Sequence, residues 1–187
     1  MRFLRLMLSI VLISSSTVAF AQPGAQKSFD SMKGLAGNWE GRVNTVPKAA
    51  AMGDNTNIEI SLRVTSRGNA LVHEMKAAGT ADDPKRYDHP VTMLYLDSDR
   101  LLLTHYCDAG NRPRMVARSS PDGKKVEFDF LDLSGGNQNG HMYHAVFTII
   151  DANHHTEDWT YMMPGDKPMQ AHMDLERTKG GSGLPGK

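Results

Sequence analysis

The sequence predicts an all-β chain, folded as a single closed up-and-down antiparallel barrel of about ten strands. Three observations lead there. Turn residues recur about every ten positions, and the segments between them alternate or run apolar. Helical periodicity is almost absent, apart from one turn over residues 28–33. Strands are expected near 38–46, 57–66, 70–79, 91–97, 100–107, 113–119, 125–133, 142–151, 156–163 and 170–178. The breaks between them include Arg67-Gly68-Asn69, Asp97-Ser98-Asp99, Asp108-Ala109-Gly110-Asn111, Pro121-Asp122-Gly123, Asp151-Ala152-Asn153 and Pro164-Gly165-Asp166. These residue types tolerate positive φ or pre-set it, at hairpin spacing. Closure removes the unpaired edges that such a run of strands would otherwise leave. A two-sheet sandwich would need longer crossovers.

The ends of the chain read differently from its middle. Arg2 and Arg5 precede an apolar run from Leu6 to Val18, and Ala19-Phe20-Ala21 fits the small-x-small cleavage rule. Residues 1–21 are therefore expected to be a signal peptide, with the mature chain starting at Gln22 and exported to the periplasm or the outside. The run is too short and too rich in serine for a spanning helix. No cysteine follows it to take a lipid. The barrel domain is expected over residues 22–179, and the tail at 180–187, GGSGLPGK, has nothing to bury. The full chain of 187 residues has a formal charge of 0, and loss of Arg2 and Arg5 leaves two negative charges in excess. No basic surplus exists to displace counterions from a phosphate backbone, which argues against nucleic acid as a partner. Cys107 is the only cysteine, so the fold rests on its core and not on an internal disulfide.

Three connections are longer than hairpin turns: 47–57, 81–90 and 134–140. They follow the first, third and seventh strands. In a meander barrel alternate connections lie at one end, so these three should cluster at one mouth, where ligand entry is controlled.

The stretch LLLTHYCDAGNRPRM, residues 101–115, carries the densest polar chemistry. On a strand, Leu101, Leu103, His105 and Cys107 share one face, and Leu102, Thr104 and Tyr106 the other. After the turn, Arg114, Val116 and Arg118 oppose Met115 and Ala117. A hairpin here brings His105 or Tyr106 close to an arginine, giving apolar walls with a few oriented donors. That composition fits a small-molecule pocket and equally an internal hydrogen-bonded network with water. His105, Tyr106 and Arg114 are the candidate ligand-binding residues. A guanidinium facing the cavity would favour a partly apolar ligand bearing a carboxylate. Cys107 is read as a packing residue, since neighbouring inward positions on a strand hold His105 and Cys107 too far apart for a thiol–imidazole pair.

No catalytic set and no metal site emerges from the spacing. His141-x-x-His144 has odd separation, His154-His155 sits at a turn before Glu157 and Asp158, and His73-Glu74 stands alone. Phosphate-cradling loops and nucleophile elbows are absent. Val126, Phe128 and Phe130 form an aromatic-rich row, as do Tyr143, Ala145, Phe147 and Ile149. Glu157, Trp159 and Tyr161 form a third, all three rows read as barrel wall. Several of the twelve methionines, among them Met162, Met163, Met169 and Met173, are suited to filling irregular apolar volume.

Two resemblances add to this reading. Leu35-Ala36-Gly37-Asn38-Trp39-Glu40-Gly41 resembles the start of the first strand in the calycin superfamily (lipocalins, fatty-acid-binding proteins and relatives). That resemblance implies that Gly37 and Trp39 close the base of the barrel, with Arg177 in the last strand as the cation–π partner of the indole. Pro168-Met169-Gln170-Ala171-His172 is similar to the last strand of nitrobindin-type haem barrels, and the opening motif is similar to that family's as well. It implies haem b as a cofactor, His172 as the iron ligand facing the cavity, and nitric oxide binding or peroxynitrite isomerisation. The likeness covers the two ends only, and Arg42-Val43-Asn44-Thr45-Val46-Pro47 replaces the family's glycine-rich continuation. The expected function is binding of a small, partly apolar molecule, with the haem barrel and an envelope interaction module without an internal ligand as the alternatives.

Overall fold

A computed structural model describes residues 23–49, 56–83, 85–119 and 123–178. The expected signal peptide, the start at Gln22, the tail at 180–187 and the turn residues Pro121 and Asp122 lie outside the described residues. One helix, α1 (Pro23–Gly34), precedes ten strands: β1 (Gly37–Val46), β2 (Thr56–Thr65), β3 (Ala70–Ala77), β4 (Val91–Asp97), β5 (Arg100–Tyr106), β6 (Arg112–Ser119), β7 (Lys125–Ser134), β8 (His141–Ile149), β9 (His154–Met163) and β10 (Lys167–Arg177). Each strand pairs antiparallel with its neighbours in sequence, and β1 pairs with β10 to close the barrel. No helix of the described residues is long and apolar enough to cross a membrane.

Closure in this order sends alternate connections to opposite ends. The links after β1, β3, β5, β7 and β9 gather at one end, the mouth. The remaining turns lie at the other end, where α1 packs against β2, β4, β5 and β6. The helix is longer than the single turn expected at residues 28–33. Ala25, Phe29 and Met32 follow a 3.6-residue period that short polar residues between them conceal. Phe29, Met32 and Leu35 are buried in the same apolar cluster as Trp39, Leu62, Leu94, Leu101 and Val126, so the helix plugs its end of the barrel.

The plug is fastened through Trp39, which is 1% exposed. Its indole Nε1 donates to the Leu35 carbonyl at 2.9 Å. The Arg177 guanidinium lies 4.2 Å from the ring centroid and donates to the carbonyls of Ala36 and Ala152 at 2.7 and 2.8 Å. One cation therefore ties the last strand, the helix exit and the β8–β9 turn to one aromatic ring. The two glycines around Trp39 have separate backbone reasons. Gly37 takes φ +147°, a conformation closed to side-chain-bearing residues. At Gly41 an added Cβ would stand 1.9 Å from the Asp174 carbonyl oxygen, so the approach of β10 to β1 requires glycine there.

Replacing Trp39 with alanine is expected to reduce stability by about 3–5 kcal/mol, the range for deleting a buried large aromatic. Urea unfolding monitored by circular dichroism measures it. A loss under about 1 kcal/mol would contradict the fastening role.

Candidate functional site inside the barrel

Period-two alternation decides what lines the interior. On β9 it sends His155, Glu157 and Trp159 inward, all three buried, while Asp158 between them is exposed. On β3, β4 and β5, His73, Thr92 and His105 are direct cross-strand partners and stand on the same inner face. The closed barrel then brings β3 opposite β9, two strands that share no ladder.

Glu157 is the centre of this arrangement, with 0% exposure. His73 Nε2 lies 3.2 and 3.0 Å from its two carboxylate oxygens, His155 Nε2 lies 3.1 Å from Oε1, and Trp159 Nε1 donates to Oε2 at 2.9 Å. A carboxylate only accepts, so both imidazole Nε2 atoms carry protons. Burial alone would raise the Glu157 pKa. The His73 charge and the hydrogen bonds from His155 and His73 outweigh it and hold the carboxyl well below its usual range. Burial likewise would lower the His73 pKa, but the Glu157 charge and hydrogen bonds outweigh it and keep it above 6.5. The pair is a buried imidazolium–carboxylate contact, and His73 and Glu157 are 84 residues apart in sequence.

His105 is held differently. Its Nδ1 shares a hydrogen bond of 2.8 Å with Thr92 Oγ1, and its ring lies 5.7 Å from that of Trp159. Burial, with the His73 charge nearby, pushes its pKa down to about 4, so the ring is neutral at pH 7. Its Nε2 is buried without a hydrogen-bond partner. Among the described residues the other such atoms are His89 Nε2, Asn111 Oδ1, His141 Nε2 and His155 Nδ1. All of these except His155 belong to the mouth half. There Asn111 donates to the carbonyls of Gly136 and Gly140 at 2.9 and 2.7 Å, and Tyr161 donates its hydroxyl to Asn139 O at 2.6 Å. These bonds bind the β5–β6 turn and β9 to the β7–β8 link.

Of the residues expected to bind a ligand or haem, only His105 faces the interior. Tyr106 is 43% exposed on the outer wall. Arg114 also stands outside, against the expectation that it enters the cavity. Residues directly opposite on a ladder share a face, and Arg114 is opposite Thr104, one position from His105. Its Nε donates to Asp132 Oδ1 at 2.8 Å and Nη2 donates to Oδ2, with Asp132 directly across on β7. That carboxylate is held below its usual range by the same hydrogen bonds. The argument for a carboxylate-bearing ligand from Arg114 therefore loses its geometric basis. His172 too is on the outer wall: its side chain is 51% exposed and its Nδ1 lies 2.6 Å from Asp158 Oδ1. The inward residues of β10 around it are Ala171, Met173 and Leu175. Haem b held by His172 does not fit this geometry, because the imidazole points away from the cavity and shares its face with Asp174 and Glu176. Gly37, Trp39 and Arg177 stand together at the helix end as described above.

The residues that sequence reasoning missed are His73, Thr92, His155, Glu157 and Trp159. A signal was present in His155-x-Glu157-x-Trp159, an acid alternating with a histidine and an indole on one strand face. Its partner His73 had no local signal at all. Among the described residues no group of three or more His, Cys, Asp or Glu side chains is arranged to hold a metal ion.

No protein-family model matches the chain, and no curated protein matches it in sequence. Among solved structures, the barrel is similar to Rv2717c from M. tuberculosis, with a TM-score of 0.59 and 13% identity over 81% of this chain and 98% of that one. It overlaps more loosely with a DUF3598-family protein of unknown function from Nostoc punctiforme, with a TM-score of 0.42 and 10% identity over 79% of this chain and 48% of that one. At these identities the first likeness shows a shared fold and nothing more.

Two outcomes follow from the buried network. Glu157→Gln removes the charge that His73 faces and should reduce stability by about 3–5 kcal/mol, as for breaking a buried ion pair, measured by denaturant unfolding. The second concerns pH. His105 has a folded pKa below its unfolded one, so its contribution is present above about pH 6.5 and is lost as pH falls to about 4. At about 1.4 kcal/mol per pKa unit this amounts to about 3 kcal/mol. His73, with its raised pKa, contributes fully below pH 6.5 and does not oppose the loss in that window. The stability difference between wild type and His105→Gln should therefore shrink between pH 6.5 and 4, and a constant difference would contradict it.

Proposed function

We propose that this chain is an exported, calycin-like binding barrel that takes a small, largely apolar molecule through its mouth into the upper half of the interior. The observation that carries this reading is that α1 covers one end of the barrel, while adaptable side chains line the interior toward the other. At the helix end Trp39, Phe29, Met32, Leu71, Leu94 and Leu101 are almost completely buried around α1, with Ala25, Leu96, Ala117 and Ile149 partly buried beside them. Toward the mouth, the inward residues Met75, Met142 and Ala171 are only partly buried against the core. Methionine is unbranched and adaptable, so this lining can yield to a ligand without disturbing the ladder. Below it lies a floor of fixed polar groups, His73, Thr92 and His105, flanked by the Trp159 indole. Apolar walls over a few oriented polar groups are the composition of small-molecule sites. The likeness to Rv2717c supports the barrel and leaves the ligand open. The signal-like residues 1–21 support export.

Ala171 tests this directly. It lies opposite Thr45 on one side and Trp159 on the other, so Ala171→Phe should fill the entry. The neutral apolar dye Nile red is expected to bind the wild type and to lose at least about tenfold in affinity, about 1.4 kcal/mol, in the variant. A melting curve checks that the variant is folded. Failure of the wild type to bind the dye, or equal affinity in a folded variant, would overturn the proposal. Haem b added to the protein is expected to give no Soret band that disappears in His172→Ala.

A further inference from the structure

We infer that the ligand is anchored at His105 Nε2 and that its head group is uncharged, an alcohol, phenol or ketone, not a carboxylate or an amine. This rests on the interior-binding reading above and names the class of molecule it takes. The argument starts from which interior polar groups already have partners. Glu157 receives hydrogen bonds from three side chains, and His73 gives its Nε2 proton to that carboxylate. Their opposite charges cancel within the core. Thr92 is engaged with His105 Nδ1. Of the polar side chains His73, Thr92 and His105 that form the floor, His105 alone has a buried ring nitrogen without a partner.

Charge then narrows the ligand. Among the described residues no lysine or arginine is buried, so an anionic head would meet no permanent cation inside. An anion entering a site without a counter-charge is strongly disfavoured relative to water. The outward position of Arg114, with its charge met by Asp132, removes that guanidinium from the account. A cationic head fares no better, because the buried carboxylate of Glu157 is already surrounded by its own donors. The neutral His105 ring is suited to a neutral partner, and a hydroxyl suits either tautomer since it both donates and accepts. The Thr92 hydroxyl holds the ring from Nδ1, which orients Nε2 in advance of binding.

Trp159 provides the readout, since its ring centroid is 5.7 Å from that of His105. The other tryptophan, Trp39, is buried at the helix end and serves as a constant background. Titration of the full chain with 1-decanol and with decanoate, followed by tryptophan fluorescence at pH 8, compares two heads on one alkyl chain. The wild type is expected to bind decanol at least tenfold more tightly than decanoate. In His105→Leu the preference should fall below about threefold, with decanol affinity reduced about tenfold, one neutral hydrogen bond's worth. Thr92→Val, which leaves the ring in place and removes its orienting partner, should weaken decanol binding several-fold and covers the case of a poorly folded His105 variant. Decanoate binding as tightly as decanol, or decanol affinity unchanged in folded variants, overturns the head-group assignment while leaving the interior-binding reading intact. No binding of either compound, together with no Nile red binding, overturns both.

Discussion

The buried carboxylate of Glu157 is the constraint around which the rest of the interior is arranged. An ionised carboxyl in a protein core is strongly unfavourable unless its oxygens are matched by donors and its charge by a cation. Here the donors come from His155 and Trp159 on the same strand and from His73 across the barrel. The local donors are supplied automatically by period-two alternation. The cation is not: it requires that the barrel close with β3 facing β9 and in a register that points His73 inward. A slip of one residue in the ladders carrying β3 would turn His73 to the solvent and leave a buried charge alone. Register, closure and charge state are thus coupled through one side chain.

That coupling divides the barrel into a fastened part and an adaptable part. Beneath Glu157, the ring of His155 meets the indole of Trp39 edge-on at 4.2 Å, and Arg177 lies over the other side of the fastening. Phe147 lies directly across from Glu157, and toward the mouth the lining passes to the ring of Trp159 and then to partly buried methionines. The helix half is fastened through the Trp39 ring, and the other half carries Met75 and Met142, whose unbranched side chains are adaptable.

The outer wall follows opposite rules. There Arg114 pairs with Asp132 directly across β6–β7 and the His172 ring meets Asp158 directly across β9–β10, exposed contacts that contribute little. Arginine and histidine in a hydrophobic strand can therefore be ordinary surface pairs. The strand partner, not the local composition, decides whether such a residue belongs to a pocket.

The sequence by itself determined the strand count, the position of nearly every turn and the gathering of the long links at one mouth, because period-two alternation and turn chemistry are local properties. Gly37, Trp39 and Arg177 were joined as a set only through the resemblance of Gly37-x-Trp39 to the calycin first strand. The length of α1 was hidden because only Ala25, Phe29 and Met32 mark its face. Tertiary structure alone decided which face of each strand is inside. His105 and Arg114 both alternate with apolar neighbours, yet the β5–β6 register sets Arg114 against Thr104 and outside the barrel. It alone, too, joined Glu157 to His73 over 84 residues. Parity on an isolated strand has two equivalent solutions, and only pairing with the rest of a closed barrel selects one of them.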